Sequence, residues 1–481
     1  MLLSKLVPEE VAASAAIPLI DITGITADSR AVKPGFLFAA LAGSRTDGVR
    51  FVADALSKGA AAILAAEGAA IEAPQHVPVL RFREPRRALS LMAARFHARQ
   101  PAHMLAITGT SGKTSVADFT RQILTLLGRQ AASVGTIGLV RPDGAVYGSL
   151  TTPDPVSLHA TLDALAGDGI THVAFEASSH GLDQHRLDGA RITAAAYTNL
   201  GRDHLDYHPT LDAYLAAKLR LFTELLPADG TAVVNADGAE AVRVIDTVRR
   251  RGVNLITTGF GGDTLQLSEI TRDGFAQRVA LHANGRMHTL RFPLLGSYQV
   301  ENALVGVGLA MASGEQMGAV LGTLEKLVGV AGRLEIVAEH KGGLAVVDYA
   351  HKPEALAAAL DALRPFATGK LVCIVGCGGD RDRGKRPIMG RIAVDRADVV
   401  IITDDNPRSE DPATIRAEML RGAVGAREIG DRAEAIATGM TMLGAGDVLL
   451  VAGKGHETGQ IVGGVTHPFS DHAGIRKHLH G

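Results

Sequence analysis

The sequence predicts an α/β protein of about three domains. Two observations carry that expectation. Along most of the chain, short apolar runs end in polar, glycine-containing loops and lead into segments of helical period, as the strands of parallel sheets do. The length, 481 residues of which 46% are hydrophobic, is enough for several cores. A third feature, the glycine loop in LAITGTSGKTS at 105–115, makes the central sheet one of phosphate-loop ATPase type.

The clearest buried strands are MLAI at 104–107, VAF at 173–175, AAAYT at 194–198, LAVV at 344–347, LVCIV at 371–375, DVVIIT at 398–403 and DVLLVA at 447–452. Each is followed at once by polar residues, and in open α/β sheets ligands bind beyond the carboxyl ends of the strands. The segment 253–292 alternates as a β-ribbon does, with turn signals at Asp273-Gly274 and Asn284-Gly285. An arginine-rich helix at 86–100 ends at Gln100-Pro101, and VGVAGR at 328–333 closes a helical segment. These edges divide the chain at 1–100, 101–332 and 333–481.

Composition narrows the function. Lysine and arginine number 49 against 51 acids, so no overall field advertises nucleic acid or an anionic membrane. The only cysteines, Cys373 and Cys377, share one apolar stretch, which reads as core packing in a reducing compartment. Glu9 and Glu10 stand where a signal peptide would be apolar, and no run approaches the ~18 apolar residues of a membrane span. The expectation is a soluble cytoplasmic protein with no membrane insertion.

In the glycine loop, backbone N–H groups and a helix N-terminus bind phosphate oxygens. Lys113 neutralises charge near the terminal phosphates, and a hydroxyl of Thr114 or Ser115 reaches Mg²⁺. Gly109 lies only three residues before Gly112, a departure from GxxxxGK[ST]; a plain flexible turn is the alternative. Glu176 follows the strand at 173–175 and can hold a metal or position a nucleophile. Asn199 and the segment 201–208, GRDHLDYH, follow the strand at 194–198. Zinc competes there, but an ATP site already demands magnesium with oxygen ligands.

Leu211, Leu215, Lys218, Phe222 and Leu225 keep helical spacing, and a lysine interrupts the apolar stripe. A buried lysine has a lowered pKa and a neutral, nucleophilic amine, which can take up carbon dioxide as a carbamate with two metal-binding oxygens. A stem-packed lysine with its ammonium in solvent fits the spacing equally.

In the last third, Asp348 follows a strand and Pro353 opens the helical run EALAAAL. The GCGG turn at 376–379 lacks the full dinucleotide fingerprint and does not imply a nicotinamide cofactor. The loops DDNPR at 404–408 and GKGHE at 453–457 combine arginine with carboxylates. An amino acid needs both, a guanidinium for its carboxylate and an acid for its ammonium, although structural ion pairs would use the same residues.

Taken together the chain resembles the Mur ligase family over its whole length, and within it the branch that adds diaminopimelate. ADSR at 27–30, GTSGKTS at 109–115, TTPDP at 151–155, EASSHGLDQHR at 176–186, TNLGRDHLDYH at 198–208, YLAAKLRLF at 214–222, GRLE at 332–335, DYAHKPEAL at 348–356, DDNPR and GKGHE carry the resemblance. It implies an N-terminal domain for a uridine nucleotide, a central ATP domain and a mobile, Rossmann-like C-terminal domain for the incoming amino acid.

It also implies roles. Ser29, Ser44, Arg45, Thr46, Thr151, Thr152, Ser178, Gln184 and Arg186 would contact the UDP-N-acetylmuramoyl dipeptide. Gly109, Thr110, Ser111, Gly112, Lys113, Thr114 and Ser115, with Asn302, Arg333 and Asp348, would serve ATP. Glu176, His204 and carbamylated Lys218 would hold magnesium with Thr114 or Ser115, which turns Lys218 toward function. Lys113, Glu176, His204, Lys218 and Asp348 form the implied catalytic set. Arg381, Asp405, Asn406, Pro407, Arg408, Gly453 and Glu457 would bind meso-diaminopimelate.

The implied reaction phosphorylates the D-glutamyl carboxylate from ATP, and the amine of diaminopimelate then displaces phosphate. Arg408 decides the amino acid, because lysine lacks the distal carboxylate. A buried arginine without its partner costs about 3–5 kcal/mol, a factor of hundreds to thousands. The enzyme is expected to act as a monomer without nucleic acid. Two rivals stand beside this reading. A folylpolyglutamate synthetase would not depend on a uridine nucleotide, and a silent nucleotide-binding regulator would need none of Glu176, His204, Lys218 and Asp348.

Overall fold

A computed structural model describes residues 1–7, 18–43, 46–146, 150–201, 203 and 207–479. Ser44, Arg45 and His204 lie outside the described residues. The chain forms two compact units, Met1–Leu265 with Val305–Val320, and Gln266–Leu304 with Leu321–Gly481.

The first unit holds two sheets. Strands Gly24–Thr26, Phe36–Ala40, Ala62–Ala66 and Val79–Phe82 are parallel and adjacent in chain order. Apolar residues of these strands, Leu37, Ala39 and Leu64, pack with Leu89 and Met92 of the helix Pro85–Phe96. Within this unit the larger sheet runs Asn254–Gly259, Thr231–Asn235, Ala194–Tyr197, His103–Thr108, His172–Glu176 and Ala131–Gly135, all parallel, and then two antiparallel strands, Gly138–Arg141 and Gly144–Val146. Its central strands are buried on both faces, which is why they read as unbroken apolar runs. Side-chain caps fix several helix starts beside the site. Asp154 accepts from the Val156 and Ser157 amides, and Ser178 and Thr210 cap the next two helices; such a cap is worth about 1 kcal/mol.

Asp188 ties the two sheets of this unit together. Its carboxylate accepts from Arg87 Nε at 3.2 Å and Arg220 Nη2 at 2.7 Å, and its carbonyl accepts from Ser90 Oγ at 2.8 Å. His159 Nε2 meets the same carbonyl at 3.0 Å. Arg87 and Ser90 belong to the helix Pro85–Phe96, Arg220 to the helix Leu211–Arg220.

The second unit carries the sheet Glu335–His340, Gly343–Asp348, Val448–Ala452, Leu371–Val375, Val399–Ile402 and Arg427–Glu428. Only its first strand is antiparallel. Helices Pro353–Leu363 and Lys385–Arg396 pack against it. Pro353 opens its helix as predicted, and Ala276–Ala283 pairs antiparallel with Arg286–Phe292 around the expected Asn284-Gly285 turn. Cys373 and Cys377 are free and buried, and burial pushes both thiols up to about 12, so they are core residues, as the sequence suggested. Among the described residues no helix is long and apolar enough to cross a membrane.

Candidate active site

The glycine loop follows the strand His103–Thr108 and caps the helix Lys113–Leu126. Gly109 and Gly112 have φ of 146° and 87°, conformations that side chains strain to adopt. Space excludes a side chain too, since a Cβ on Gly109 would lie 1.9 Å from Thr198 Oγ1. The residues after the strand Ala194–Tyr197 brace the loop: Thr198 Oγ1 donates to the Ser111 carbonyl at 2.6 Å, and Asn199 Oδ1 accepts from the Ser111 amide at 3.0 Å. Thr110 Oγ1 accepts from the Gly201 amide at 2.8 Å. Lys113 folds back over its own loop, its Nζ donating to the carbonyls of Gly109 at 2.9 Å and Thr110 at 3.0 Å.

Glu176 ends the adjacent strand and is buried. Its Oε1 accepts from Thr114 Oγ1 at 2.9 Å and from the Thr136 amide at 2.7 Å, and its Oε2 accepts from Thr136 Oγ1 at 3.2 Å. The approach requires Gly135, where a Cβ would sit 2.2 Å from Oε1. Thr136 escaped the sequence reading because nothing in GTIG at 135–138 signals chemistry before the fold brings it beside Glu176. From here a polar chain runs outward. Thr136 Oγ1 meets Thr151 Oγ1 at 3.1 Å; Thr152 Oγ1 donates to the Glu176 carbonyl at 2.8 Å and meets Ser178 Oγ at 3.0 Å; Arg186 donates to the Thr152 carbonyl at 2.7 Å and to Gln184 Oε1 at 2.8 Å. Five of the residues expected at the dipeptide therefore form one connected set. Ser29 and Thr46 both lie between strands of the four-stranded sheet: Ser29 opens the short 3-10 helix Ser29–Ala31 and is buried, its carbonyl bonded to Lys58 Nζ, and Thr46 is exposed.

Lys218 is buried in the helix Leu211–Arg220, where its Nζ donates to the Gly109 carbonyl at 2.8 Å and lies 4.2 Å from the centre of the Tyr214 ring. The snorkelling alternative is thereby excluded. Burial, then the Lys113 ammonium, holds the Lys218 amine well below the usual lysine range, against a smaller opposing pull from Asp203. A neutral amine is the form that can add carbon dioxide. Thr114 Oγ1 and Glu176 Oε1, two hard oxygens at the head of a helix, suit magnesium, which takes few protein ligands and keeps water and phosphate oxygens. Among the described residues no group of three or more His, Cys, Asp or Glu side chains could hold a metal ion; His204 and Asp206, on which the zinc alternative drew, lie outside the described residues.

In the second unit, Asp348 ends the strand Gly343–Asp348, and its Oδ2 accepts from the Leu334 amide at 2.7 Å. Burial pushes its carboxyl up to about 6, against the opposing pull of Arg333 and backbone amides. The Arg333 guanidinium lies 4.8 Å from the centre of the Tyr349 ring, its carbonyl accepts from Gln299 Nε2 at 2.9 Å, and Gln299 Oε1 accepts from Asn302 Nδ2 at 3.3 Å. Asn302, Arg333 and Asp348 are thus linked through Gln299 and Leu334.

The loops 404–408 and 453–457 follow the strands Val399–Ile402 and Val448–Ala452, which flank Leu371–Val375 on either side, and they meet beyond its end. The Gly453 amide donates to the Asp348 carbonyl at 3.0 Å. Asn406 Nδ2 donates to Glu457 Oε2 at 2.8 Å, and Arg408 Nη1 donates to the Gly379 carbonyl at 2.8 Å. Arg408 has φ 54°, a left-handed conformation held by the hairpin Gly459–Val462 and Val465–Pro468. The Arg408 amide donates to Ile461, the Gly463 amide donates to Arg408, and Gln460 Nε2 donates to the Asp405 carbonyl at 2.8 Å. The sequence reading passed over this hairpin, although Gly463-Gly464 between IV and VT was a usable turn signal. Arg381 is exposed and donates only to its neighbour Asp380 among the described residues, so the fold does not draw it into this cluster.

Three family models match the chain: one described as Mur ligase family, catalytic domain, at residues 21–97; Mur ligase middle domain at 107–310; and Mur ligase, glutamate ligase domain, at 332–455. A protein of Bradyrhizobium diazoefficiens named UDP-N-acetylmuramoyl-L-alanyl-D-glutamate--2,6-diaminopimelate ligase is 54% identical over 482 residues, 99% of this chain and 98% of its own. A protein of that name from Rhizobium meliloti is 56% identical over 463 residues, covering 96% of this chain and 95% of its own. A solved structure of an enzyme with that name matches with a TM-score of 0.74 at 33% identity, over 100% of this chain and 99% of its own.

Proposed function

Because this chain belongs to the Mur ligase family, we propose that it joins meso-diaminopimelate to UDP-N-acetylmuramoyl-L-alanyl-D-glutamate at the expense of ATP, in cytoplasmic peptidoglycan precursor synthesis. The observation that carries the reading is the glycine loop flanked by Glu176 and by a lysine, Lys218, buried against the loop's own Gly109 carbonyl. We assign residues 1–100 to the uridine nucleotide, 101–332 to ATP and 333–481 to the amino acid. The family-model spans 21–97 and 107–310 each fall inside one of these segments, and the third, 332–455, begins one residue before the last segment, which supports that division. The working form is a monomer.

In this reading the loop amides and Lys113 bind the ATP phosphates and offset charge as the γ-phosphoryl group passes to the D-glutamyl carboxylate. Magnesium, when bound, neutralises phosphate charge; Thr114, Ser115, Glu176, His204 and Lys218 as its carbamate would hold it. Asn302, Arg333 and Asp348 orient the nucleotide. Thr151, Thr152, Ser178, Gln184 and Arg186, with Ser29, Ser44, Arg45 and Thr46, hold the UDP-linked dipeptide so that its carboxylate meets the phosphate. Glu457 receives an ammonium of diaminopimelate and Arg408 its distal carboxylate, with Arg381, Asp405, Asn406, Pro407 and Gly453 shaping the pocket. The free amine then attacks the acyl phosphate, a C–N bond forms, and inorganic phosphate leaves.

The test is phosphate release by the purified protein with ATP, Mg²⁺ and the UDP-linked dipeptide, comparing meso-diaminopimelate, L-lysine and no amino acid. Release that requires meso-diaminopimelate, with a product heavier by one residue, is expected. Release with lysine would overturn the role given to Arg408, and release independent of the muramyl substrate would return the folylpolyglutamate and regulator readings.

A further inference from the structure

Lys454 belongs to the loop 453–457 of the amino-acid pocket, and its side chain is fully buried. Its Nζ donates to Asn406 Oδ1 at 3.0 Å and to Glu457 Oε2 at 3.2 Å, and pairs with Asp405 Oδ1 at 3.6 Å. A buried ammonium cannot touch substrate, yet it touches three groups around the proposed ammonium site. We propose that Lys454 is a positioning residue: it fixes the orientation of Asn406 and Glu457 and thereby sets the affinity for the incoming amino acid. The proposal rests on the pocket assigned above.

The asparagine amide shows how. Its two ends have nearly the same shape, so hydrogen bonding alone decides which way it faces. Oδ1 accepts from Lys454 Nζ and from the Ile461 amide at 3.0 Å, two groups that can only donate. Nδ2 is therefore turned onto Glu457 Oε2 at 2.8 Å. Oε2 thus receives two donors, Asn406 and Lys454, whereas among the described residues no hydrogen bond goes to Oε1. That leaves one oxygen of a partly exposed carboxylate for an amino-acid ammonium.

Charge points the same way. Asp405 and Glu457 supply two carboxylates and Lys454 one ammonium, while the neighbouring Arg432 is paired with Asp471 at 2.7 Å. The cluster of three keeps one net negative charge, which an ammonium from the ligand would neutralise. Without Lys454, two carboxylates would face each other and the Asn406 amide would keep a single orienting donor.

The experiment is steady-state ligation by full-length Lys454→Met and Lys454→Gln, each alone and combined with Glu457→Gln. The KM for meso-diaminopimelate is expected to rise about 10–100-fold, with the KM values for ATP and the UDP-linked dipeptide within about twofold of wild type. In the Glu457→Gln background the lysine change should add less than about threefold, since its effect runs through that carboxylate. Equal losses for all three substrates, or losses that multiply across the double variant, would overturn the proposal. If Lys454→Met does not fold, Lys454→Gln carries the same test; if neither folds, the lysine is a fold determinant and the proposal falls. A wild-type chain that fails to ligate would instead remove the pocket assignment itself.

Discussion

Lys113 and Lys218 donate to the same acceptor, the carbonyl of Gly109, at 2.9 and 2.8 Å. Two ammonium groups so close repel, and the buried one yields: Lys218 is the lysine whose charged form is disfavoured, by burial first and by Lys113 second. We expect this amine to carry a carbamate in the working enzyme. Native mass spectrometry in ¹³C-labelled bicarbonate should show a labile adduct that Lys218→Ala lacks. The variant should lose activity by about 10–100-fold or more, with partial rescue by short carboxylic acids. An unmodified Lys218 in a fully active preparation would sink the idea.

Asp348 gives a pH dependence with a definite sign. Its folded carboxyl is raised from 3.8 to about 6 by burial. Between those values the folded chain holds a proton that the unfolded chain has released, so stability falls as pH rises through the window. Asp348→Asn removes that cost. It should be more stable than wild type at pH 7.5 by about 1–3 kcal/mol, a gain that disappears near pH 4 in urea titrations. Activity should move oppositely, falling below about pH 6 in the wild type and being lost in the variant if the ionised carboxylate serves ATP.

Arg408 Nη1 donates to the Gly379 carbonyl at 2.8 Å and to the Asn406 carbonyl at 3.5 Å, and among the described residues Nε and Nη2 are left for a ligand. Arg408→Ala should lower kcat/KM for meso-diaminopimelate by a factor on the order of 100–1,000 while changing that for L-lysine little. A parallel loss on both amino acids would assign the arginine to the loop's structure alone.

Arg432 and Asp471 form a buried ion pair, with Arg432 Nη2 also donating to the Ala452 carbonyl at 3.1 Å. Arg432→Met alone should destabilise the chain by about 3–5 kcal/mol, because it strands Asp471. The double variant Arg432→Met, Asp471→Leu should recover most of that in urea melts. Its affinity for the amino acid should still fall, since the tie from Arg432 to the end of the strand Val448–Ala452 is gone.

Much of this was legible beforehand because buried parallel strands are apolar on both faces. LVCIV at 371–375 is a strand end to end, and VAF at 173–175 sits inside His172–Glu176. Lys218 stood out for the same reason, a charge in an apolar stripe, but its neighbours show the limit of periodicity. Leu215 and Phe222 are buried while Leu211 is exposed at the helix start, and the helix ends in a wider turn, Leu221–Leu225. The sequence did not reveal Thr136, Gln460 or the hairpin that holds Arg408, since their roles come from backbone contacts made across long stretches of chain. His204, Ser44 and Arg45 fall outside the described residues.

Asp188 joins Arg87 and Ser90 of the helix Pro85–Phe96 to Arg220 of the helix that carries Lys218. For anyone building chimeras, this makes the first hundred residues a poor cassette. A graft cut at residue 100 would pair a foreign helix with an aspartate expecting a particular arginine and serine. The exchangeable piece is the helix together with residues 185–190, and the seam belongs beyond residue 190.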